Sequence, residues 1–166
     1  MHRFLTAAAA IALLATPALA DGIYAELHTG YDGVTFNGNT YGGVGYGVGL
    51  GYEVTLGGKV YAAVEASADD STAKSSLFGV KTGRDLSAVA KLGVGITRNI
   101  SVYALGGYSN ARLKGPGGAD NLKGIRAGAG WRYKLGQAYV KGEFLYTNYE
   151  QGVKRYQGVA GIGYQF

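Results

Sequence analysis

The most constraining feature of the sequence is its final segment, which alternates in character and ends on an aromatic residue. Counting back from Phe166, every second residue is apolar, aromatic or small, whereas the intervening positions are mostly small or polar. Side chains of a β-strand alternate between two faces, so this segment is predicted to be a strand with one apolar face. A free apolar strand in water would recruit other chains at its open edge. Closure of a barrel within a membrane leaves no open edge, which favours that setting for the chain.

The same alternation recurs in seven earlier segments, which are separated by connections of two kinds. These segments begin near Ile23, Val44, Val60, Leu86, Ile100, Ile125 and Ala138. Three tight turns are expected at Gly57-Gly58, residues 97–99 and Gly136-Gln137, and longer polar loops at 32–41, 69–84, 110–122 and 148–154. Short turns at one end and longer loops at the other are typical of outer-membrane barrels, with the turns periplasmic. The sequence therefore predicts an eight-stranded antiparallel up-and-down transmembrane β-barrel.

The first twenty residues have the pattern of a secretory signal peptide. A short basic start precedes an apolar stretch and a small-residue cleavage site at 18–20. The stretch is too short to cross a bilayer as a helix, although a retained anchor is the alternative. We therefore expect residues 1–20 to be a signal peptide and residues 21–166 to form the barrel domain. The chain has no cysteine, which excludes disulfides and thiolate metal sites; no cofactor and no metal site is predicted.

The polar parity of the segments carries charges of both signs. The predicted inward charges are Glu26, Glu53, Glu65, Asp85, Lys91, Arg126, Arg132, Lys141 and Glu143. The same parity carries four tyrosines (Tyr24, Tyr61, Tyr103 and Tyr139) and the glycines of segment two. An eight-stranded barrel has an interior just wide enough to be filled by side chains. We interpret the charges as a near-neutral network of ion pairs that plugs the barrel. The alternative is the lining of a selective pore.

The outward aromatic residues fall at two levels. Those near the loop ends are Tyr31, Tyr46, Tyr108, Tyr146 and Tyr156, and those near the turn ends include Trp131, Tyr133, Tyr164 and Phe166. Amphipathic rings prefer the two membrane interfaces, so the sequence predicts two aromatic belts. A sugar-binding platform is the alternative interpretation of the belt near the loops.

The predicted loops carry a modest excess of basic residues. The bases are Lys74, Lys81, Arg84, Arg112, Lys114, Lys123 and Lys154, and the acids are Asp32, Asp69, Asp70, Asp120 and Glu150. Basic groups are attracted to an anionic membrane surface, so contact with lipopolysaccharide phosphates is one interpretation. A solvated set of loops is the other. No motif or basic stripe indicates nucleic-acid binding.

Four stretches resemble the small outer-membrane β-barrel family of Gram-negative bacteria, the OmpA/OmpX-like and opacity-like proteins. These stretches are DGIYAELHTGYD, ITRNISVYALGGYS, YVKGEFLYTNY and the terminal VAGIGYQF. The resemblance implies an outer-membrane location and an assembly signal at Gly161, Tyr164 and Phe166 that the barrel-assembly machinery reads. It also implies a non-enzymatic role. Envelope integrity, adhesion and host contact all remain open, because one fold hosts several functions. We expect a monomer that contacts outer-membrane lipid and a surface or host ligand.

An enzyme that modifies lipid A is the main rival. Such barrels use a histidine with a serine and an acid, and His28 is the only histidine after the signal segment. The deacylase-type pattern has a histidine two residues before the serine. In this sequence the residue two positions before Ser109 is Gly107. Ser101 and Ser109 share the inward parity, but no positioned partner for His28 is evident. A soluble ligand-binding barrel is a third option, and the charged share of 16% is low for a water-facing surface.

Overall fold

The computed structural model describes residues 22–36, 39–72, 74–75, 80–115 and 118–166. The predicted signal peptide lies outside these ranges. The described chain forms nine strands and one short 3-10 turn at Glu150–Gly152. The strands are β1 (Gly22–Phe36), β2 (Asn39–Gly57), β3 (Val60–Ser71), β4 (Lys74–Ser75), β5 (Val80–Gly95), β6 (Ile100–Gly115), β7 (Gly118–Leu135), β8 (Ala138–Tyr149) and β9 (Lys154–Gln165). Among the described residues, no helix is long and apolar enough to span a bilayer.

Eight of the strands close into a barrel. Each strand pairs antiparallel with its neighbour along the chain, β1 pairs with β9, and the β3–β5 pairing completes the ring. The two-residue strand β4 only extends the edge of β5. The structure thus confirms the predicted eight-stranded antiparallel barrel. Register pairs such as Tyr24 with Gln165 place both ends of the barrel chain at the end that carries the short turns. We call this the turn end and the opposite end the loop end.

Glycines form two of the three tight turns. Gly57, Gly58 and Gly136 have φ values of 137°, 59° and 72°, a region that glycine enters without steric cost. The first turn lies at residues 58–59, one residue later than predicted, and the third is at Gly136-Gln137. The middle turn occupies residues 96–99. All three connect strands that are neighbours in the barrel, as an up-and-down topology requires.

The strands extend far into the predicted loops. Strand β1 continues to Phe36 and β2 begins at Asn39, so the loop predicted at 32–41 is wrong. The loop predicted at 110–122 is wrong for the same reason, because β6 ends at Gly115 and β7 begins at Gly118. Polar residues here lie on strands, either inside the barrel or, like Arg112, exposed on its outer face, so polarity in these stretches does not signify a loop. Asp32, for example, is completely buried.

The outer face is apolar over most of its height. Large apolar side chains such as Leu27, Leu50 and Ile162 are more than half exposed. A soluble protein does not expose so continuous an apolar surface. The charged side chains of the same strands point inward instead, where residues such as Arg132 and Asp85 are fully buried. The inverted distribution is that of a barrel surrounded by lipid.

Candidate functional site

Four tyrosines line the turn half of the interior. We call Tyr24, Tyr61, Tyr103 and Tyr139 the tyrosine collar. Each lies directly opposite a glycine on the next strand of its hairpin: Gly51, Gly93, Gly130 and Gly163, respectively. A Cβ atom built on Gly51 would meet the ring of Tyr24 at 2.3 Å, so the absent side chain is the space that the ring occupies. The inward glycines are thus required for the rings to lie flat against the wall.

Arg132 lies inside the tyrosine collar. Its Cζ atom is 4.4 Å from the ring centre of Tyr139 and 5.3 to 6.0 Å from those of the other three. Its Nη1 donates to Glu53 Oε2 at 2.5 Å, whereas Nε and Nη2 have no hydrogen-bond partner in the described part of the chain. Aromatic ring faces attract a guanidinium within about 6 Å, so the collar replaces the missing partners.

The collar hydroxyls connect to a second layer of charges. Tyr24 donates to Glu65 at 2.9 Å, Tyr103 to Glu143 at 2.7 Å and Tyr139 to Glu26 at 2.9 Å. The fourth hydroxyl, that of Tyr61, is 3.5 Å from Ser101 Oγ. The collar therefore fixes the carboxylates that the buried lysines need.

Two lysines bridge those carboxylates. Lys91 Nζ lies 2.6 Å from Glu65 Oε2 and 2.9 Å from Glu143 Oε1. Lys141 Nζ lies 2.9 Å from the other oxygen of Glu143 and also pairs with Glu26. Each ammonium group thus has two anionic partners, which offsets the cost of removing it from water.

A third cluster of charges fills the loop half. Asp85 lies between two arginines, with Oδ2 at 2.5 Å from Arg126 Nη2 and 2.6 Å from Arg155 Nη1. Arg155 also binds Asp32 with two parallel hydrogen bonds of 2.6 and 3.0 Å. The prediction that Asp32 and Asp69 belong to loops is wrong, because both are buried in barrel strands. Arg155 was absent from the predicted interior set, although it shares the inward parity of β9.

His28 is held by carboxylates rather than by a serine. Its Nε2 is 2.5 Å from Asp69 Oδ1, and its Nδ1 is 3.5 Å from Glu26 Oε1. Ser109 instead bonds to Asp85 at 2.5 Å. No described serine hydrogen-bonds to His28; Ser67 instead donates to the other oxygen of Asp69 at 3.0 Å. A cavity of about 30 Å³ beside His28 has room for a single water molecule.

An apolar cluster lies in the interior toward the loop end. Ala111, Leu122, Tyr149 and Val153 form a buried cluster, against which Val34 packs. Toward the turn end, a wider depression of about 460 Å³ opens between the turns at 58–59 and 96–99, with Glu53 and Tyr61 among its lining residues. Lys134 reaches Glu53 there at 3.4 Å. Within the described ranges, no group of histidine and acidic side chains is arranged to hold a metal.

The predicted belt residues lie on the outer face. Tyr31, Tyr46, Tyr108 and Trp131 are about half exposed, and the rings of Tyr146 and Tyr156 are 5.1 Å apart. The predicted assembly residues lie around the closing seam, where the Phe166 amide donates to the carbonyl of Ile23 at 2.9 Å. Phe166 also packs on Tyr164 with ring centres 5.1 Å apart, and Gly161 faces the interior against Lys141.

Charges of opposite sign are distributed unequally between the interior and the surface. Seven of the eleven acidic residues are buried inside: Glu26, Asp32, Glu53, Glu65, Asp69, Asp85 and Glu143. With Asp32 and Asp69 inside, the acids of the predicted loops fall to Asp70, Asp120 and Glu150. The basic residues predicted for the loops include exposed Arg84, Arg112, Lys123 and Lys154. The outer surface is therefore more basic than the net charge of the chain indicates.

Comparison with known proteins gives the same class. The sequence matches the family model of the outer membrane protein beta-barrel domain over residues 6–166. The chain belongs to this family and is a transmembrane barrel of the outer membrane. Among curated proteins, none matches the sequence.

Solved structures share the fold at low sequence identity. Ail, the attachment invasion locus protein of Yersinia pestis, in complex with the heparin analogue sucrose octasulfate, has a TM-score of 0.66 at 16% identity, covering 89% of this chain and 100% of that one. Neisserial surface protein A has a TM-score of 0.67 at 14% identity, with coverage of 89% and 100%. The N-terminal barrel domain of Pseudomonas aeruginosa OprF has a TM-score of 0.58 at 17% identity, with coverage of 86% and 97%.

Proposed function

We propose that the protein is a non-enzymatic outer-membrane barrel whose interior is closed and whose function is carried out by its outer surface. The observation that carries this proposal is the pairing of the buried charges. Arg126, Arg132, Lys141, Lys91 and Arg155 each lie within 3 Å of at least one carboxylate. Side chains that pair with one another and pack against the collar leave little room for a water-filled path.

The outer surface is then the place for a partner. The name of Ail links a related fold to attachment, and its complex contains a sulfated heparin analogue. The basic loop end of this chain supports a similar preference for an anionic surface or host ligand. A monomer is sufficient for such a role, because the barrel closes within one chain.

Ion conduction tests the closed interior. We expect the purified monomer to give no steady porin-like current in a planar lipid bilayer. As a control, Tyr139→Ala combined with Arg132→Ala removes the centre of the collar and should raise conductance if these groups form the plug. A steady current from the unaltered protein would favour the small-porin alternative.

Lipid A chemistry tests the enzyme alternative. Among the described residues, no serine hydrogen-bonds to His28, which argues against that activity. Lipid A from cells with and without the protein should have the same mass spectrum. A mass change that depends on His28 would replace the proposal with an enzymatic function.

We propose that Gly161, Tyr164 and Phe166 are read by the barrel-assembly machinery. Phe166 is 72% exposed, so its ring contributes little to packing within the barrel. Deleting it should reduce the amount of protein in the outer membrane strongly, while refolded protein loses only about 1 kcal/mol of stability. Normal outer-membrane levels of the deletion variant would contradict this role.

A further inference from the structure

The basic residues of the loop end are concentrated on one side of the barrel. Six of them lie on the adjacent strands β4 to β7, and we call this set the basic wall: Lys74, Lys81, Arg84, Arg112, Lys114 and Lys123. The opposite strands β1, β2, β8 and β9 contribute one base at this level, Lys154, which begins β9 two residues after the turn that contains Glu150. The positive charge is thus directed to one side.

The register brings the basic positions next to one another. Lys74 pairs with Lys81, and Lys81 pairs with Lys114, so three adjacent strands carry lysine at paired positions. The β5–β6 ladder is irregular between Thr82 and Asp85, where Gly83 and Arg84 together lie opposite Arg112. Like charges at paired positions destabilise a sheet. An arrangement of this kind is stabilised when an anionic partner binds it.

The structure gives these exposed bases no internal partner. Arg84, Arg112 and Lys123 are exposed, and none of them pairs with a carboxylate in the described part of the chain. The neighbouring acid Asp85 points inward and is occupied by Arg126 and Arg155. The charge of these three exposed bases is therefore available to a ligand.

The height of the wall indicates the ligand. Tyr108 of the aromatic belt pairs with Ile125, and Lys123 lies two residues beyond Ile125, while Arg112 lies four residues beyond Tyr108. At about 3.3 Å per residue, these bases lie roughly 7–13 Å along the strands above the rings. Aromatic rings of a belt lie at the level of the lipid headgroups. Lys123, the nearer of these two bases, therefore lies just above the headgroup level, within reach of headgroup phosphates through its long side chain.

The apolar part of the same wall combines small and large residues. Below Tyr108, strands β5 to β7 present Ala90, Ala104, Gly106, Ala127 and Ala129 outward, interleaved with large side chains such as Leu92, Val102 and Trp131. A Cβ atom built on Gly106 would meet nothing within 4 Å. An apolar surface directly beneath the bases can contact acyl chains, whereas a water-soluble polyanion would make no contact with it.

We propose that the basic wall binds the phosphate groups of a multiply acylated, bisphosphorylated glycolipid of the lipid A type in the outer leaflet. The proposal rests on the proposed function, because it names the partner of the outer surface. Arg84, Arg112 and Lys123 contact the phosphates, and the outward apolar residues of β5 to β7 contact the acyl chains. Guanidinium groups suit this role because they form paired hydrogen bonds with phosphate oxygens.

The test measures binding of lipid A to the full protein refolded in phosphatidylcholine nanodiscs. The probes are bisphosphorylated lipid A, the same lipid without phosphates, and a soluble heparin oligosaccharide. The triple variant Arg84→Gln/Arg112→Gln/Lys123→Gln should bind bisphosphorylated lipid A about a hundredfold more weakly than the unaltered protein. The unaltered protein should show a similarly large preference for the phosphorylated lipid.

A matched control removes the same charge elsewhere. Lys59→Gln/Arg98→Gln/Lys154→Gln alters two exposed bases at the turn end and one on the opposite wall, and it should bind as the unaltered protein does. The exchange Arg84→Lys/Arg112→Lys keeps the charge and should retain most of the binding. Folding of the Arg84/Arg112/Lys123 variant is checked by its gel shift on boiling. If this variant does not fold, the salt dependence of the unaltered protein provides the test, and increasing salt should weaken its binding of lipid A.

Three results would overturn the proposal. The first is that the Arg84/Arg112/Lys123 variant binds lipid A as tightly as the unaltered protein. The second is that this variant and the control triple variant lose the same affinity for lipid A. The third is that the unaltered protein binds heparin more tightly than lipid A. None of them affects the closed interior, which the conductance measurement tests separately. An unchanged mass of the recovered lipid A keeps binding distinct from enzymatic modification.

Discussion

Charged side chains inside the barrel are paired with charges of opposite sign, whereas the described bases of the basic wall are exposed to solvent. Asp85 and Arg84 are adjacent in sequence, yet Asp85 is fully buried between two arginines and Arg84 is exposed. Buried charges are tolerated when they are paired and hydrogen-bonded, whereas exposed charges are stabilised by water. The difference indicates that the interior charges hold the barrel together and that the outer charges remain free to bind.

The largest expected effect comes from breaking an interior cluster. Asp85→Ala leaves Arg126 and Arg155 without a shared partner and should lower the free energy of unfolding by about 3–5 kcal/mol. Its neighbour provides the control, because Arg84→Ala should change the free energy by at most about 0.5 kcal/mol. Urea unfolding in lipid vesicles measures both. Similar small losses in the two variants would remove the distinction between the two regions.

A second pair of neighbours tests which face meets the lipid. Val48 is 52% exposed on the outer face, and Val48→Arg should cost about 2–4 kcal/mol near the middle of the bilayer. Gly47 faces inward, where an added Cβ would lie 2.1 Å from Asp69 Oδ1, so Gly47→Arg should act through steric displacement of the Asp69–His28 pair. Spin labels should report lipid contact at position 48 alone. Lipid contact at position 47 would show that the β2 register is shifted.

A smaller effect separates two kinds of glycine. Gly51→Ala would force the ring of Tyr24 away from the wall and should cost about 1–3 kcal/mol. Gly106 has open space around its Cα, so Gly106→Ala should be close to neutral. Thermal unfolding of the two variants compares them directly. Equal destabilisation would mean that the collar does not depend on its opposing glycines.

Much of the fold could be predicted from the alternation of residues. Parity alone assigned Glu26 and Tyr24 to the interior and Leu27 to the outer face, because the period of a strand is two residues. The three turns followed from glycine and from the spacing of the segments. Strand length was underestimated, since Asp32 and Asp69 resemble loop residues until the strand is known to continue.

The partners of the interior charges could not be predicted. Arg155 and Asp32 are 123 residues apart in sequence, and their contact depends on the stagger of the β1–β9 seam. The collar depends on the same stagger, because four separate hairpins must present their tyrosines at one height. Alternation determines the face of a side chain but not its height along the barrel. The grouping of the basic residues on one wall therefore could not be predicted from the sequence either.

The most direct test of the account is a comparison of two coupling free energies from double-mutant cycles. Inside, Asp32→Asn and Arg155→Gln remove the two sides of a paired hydrogen bond, and outside, Arg84→Gln and Arg112→Gln remove two opposed bases. In lipid vesicles free of anionic lipid, the interior pair should show a favourable coupling of about 1–3 kcal/mol. The exterior pair should show none, or a weak repulsion. A near-zero coupling inside, or a favourable coupling outside, would contradict the division between charges that stabilise the barrel and charges that bind.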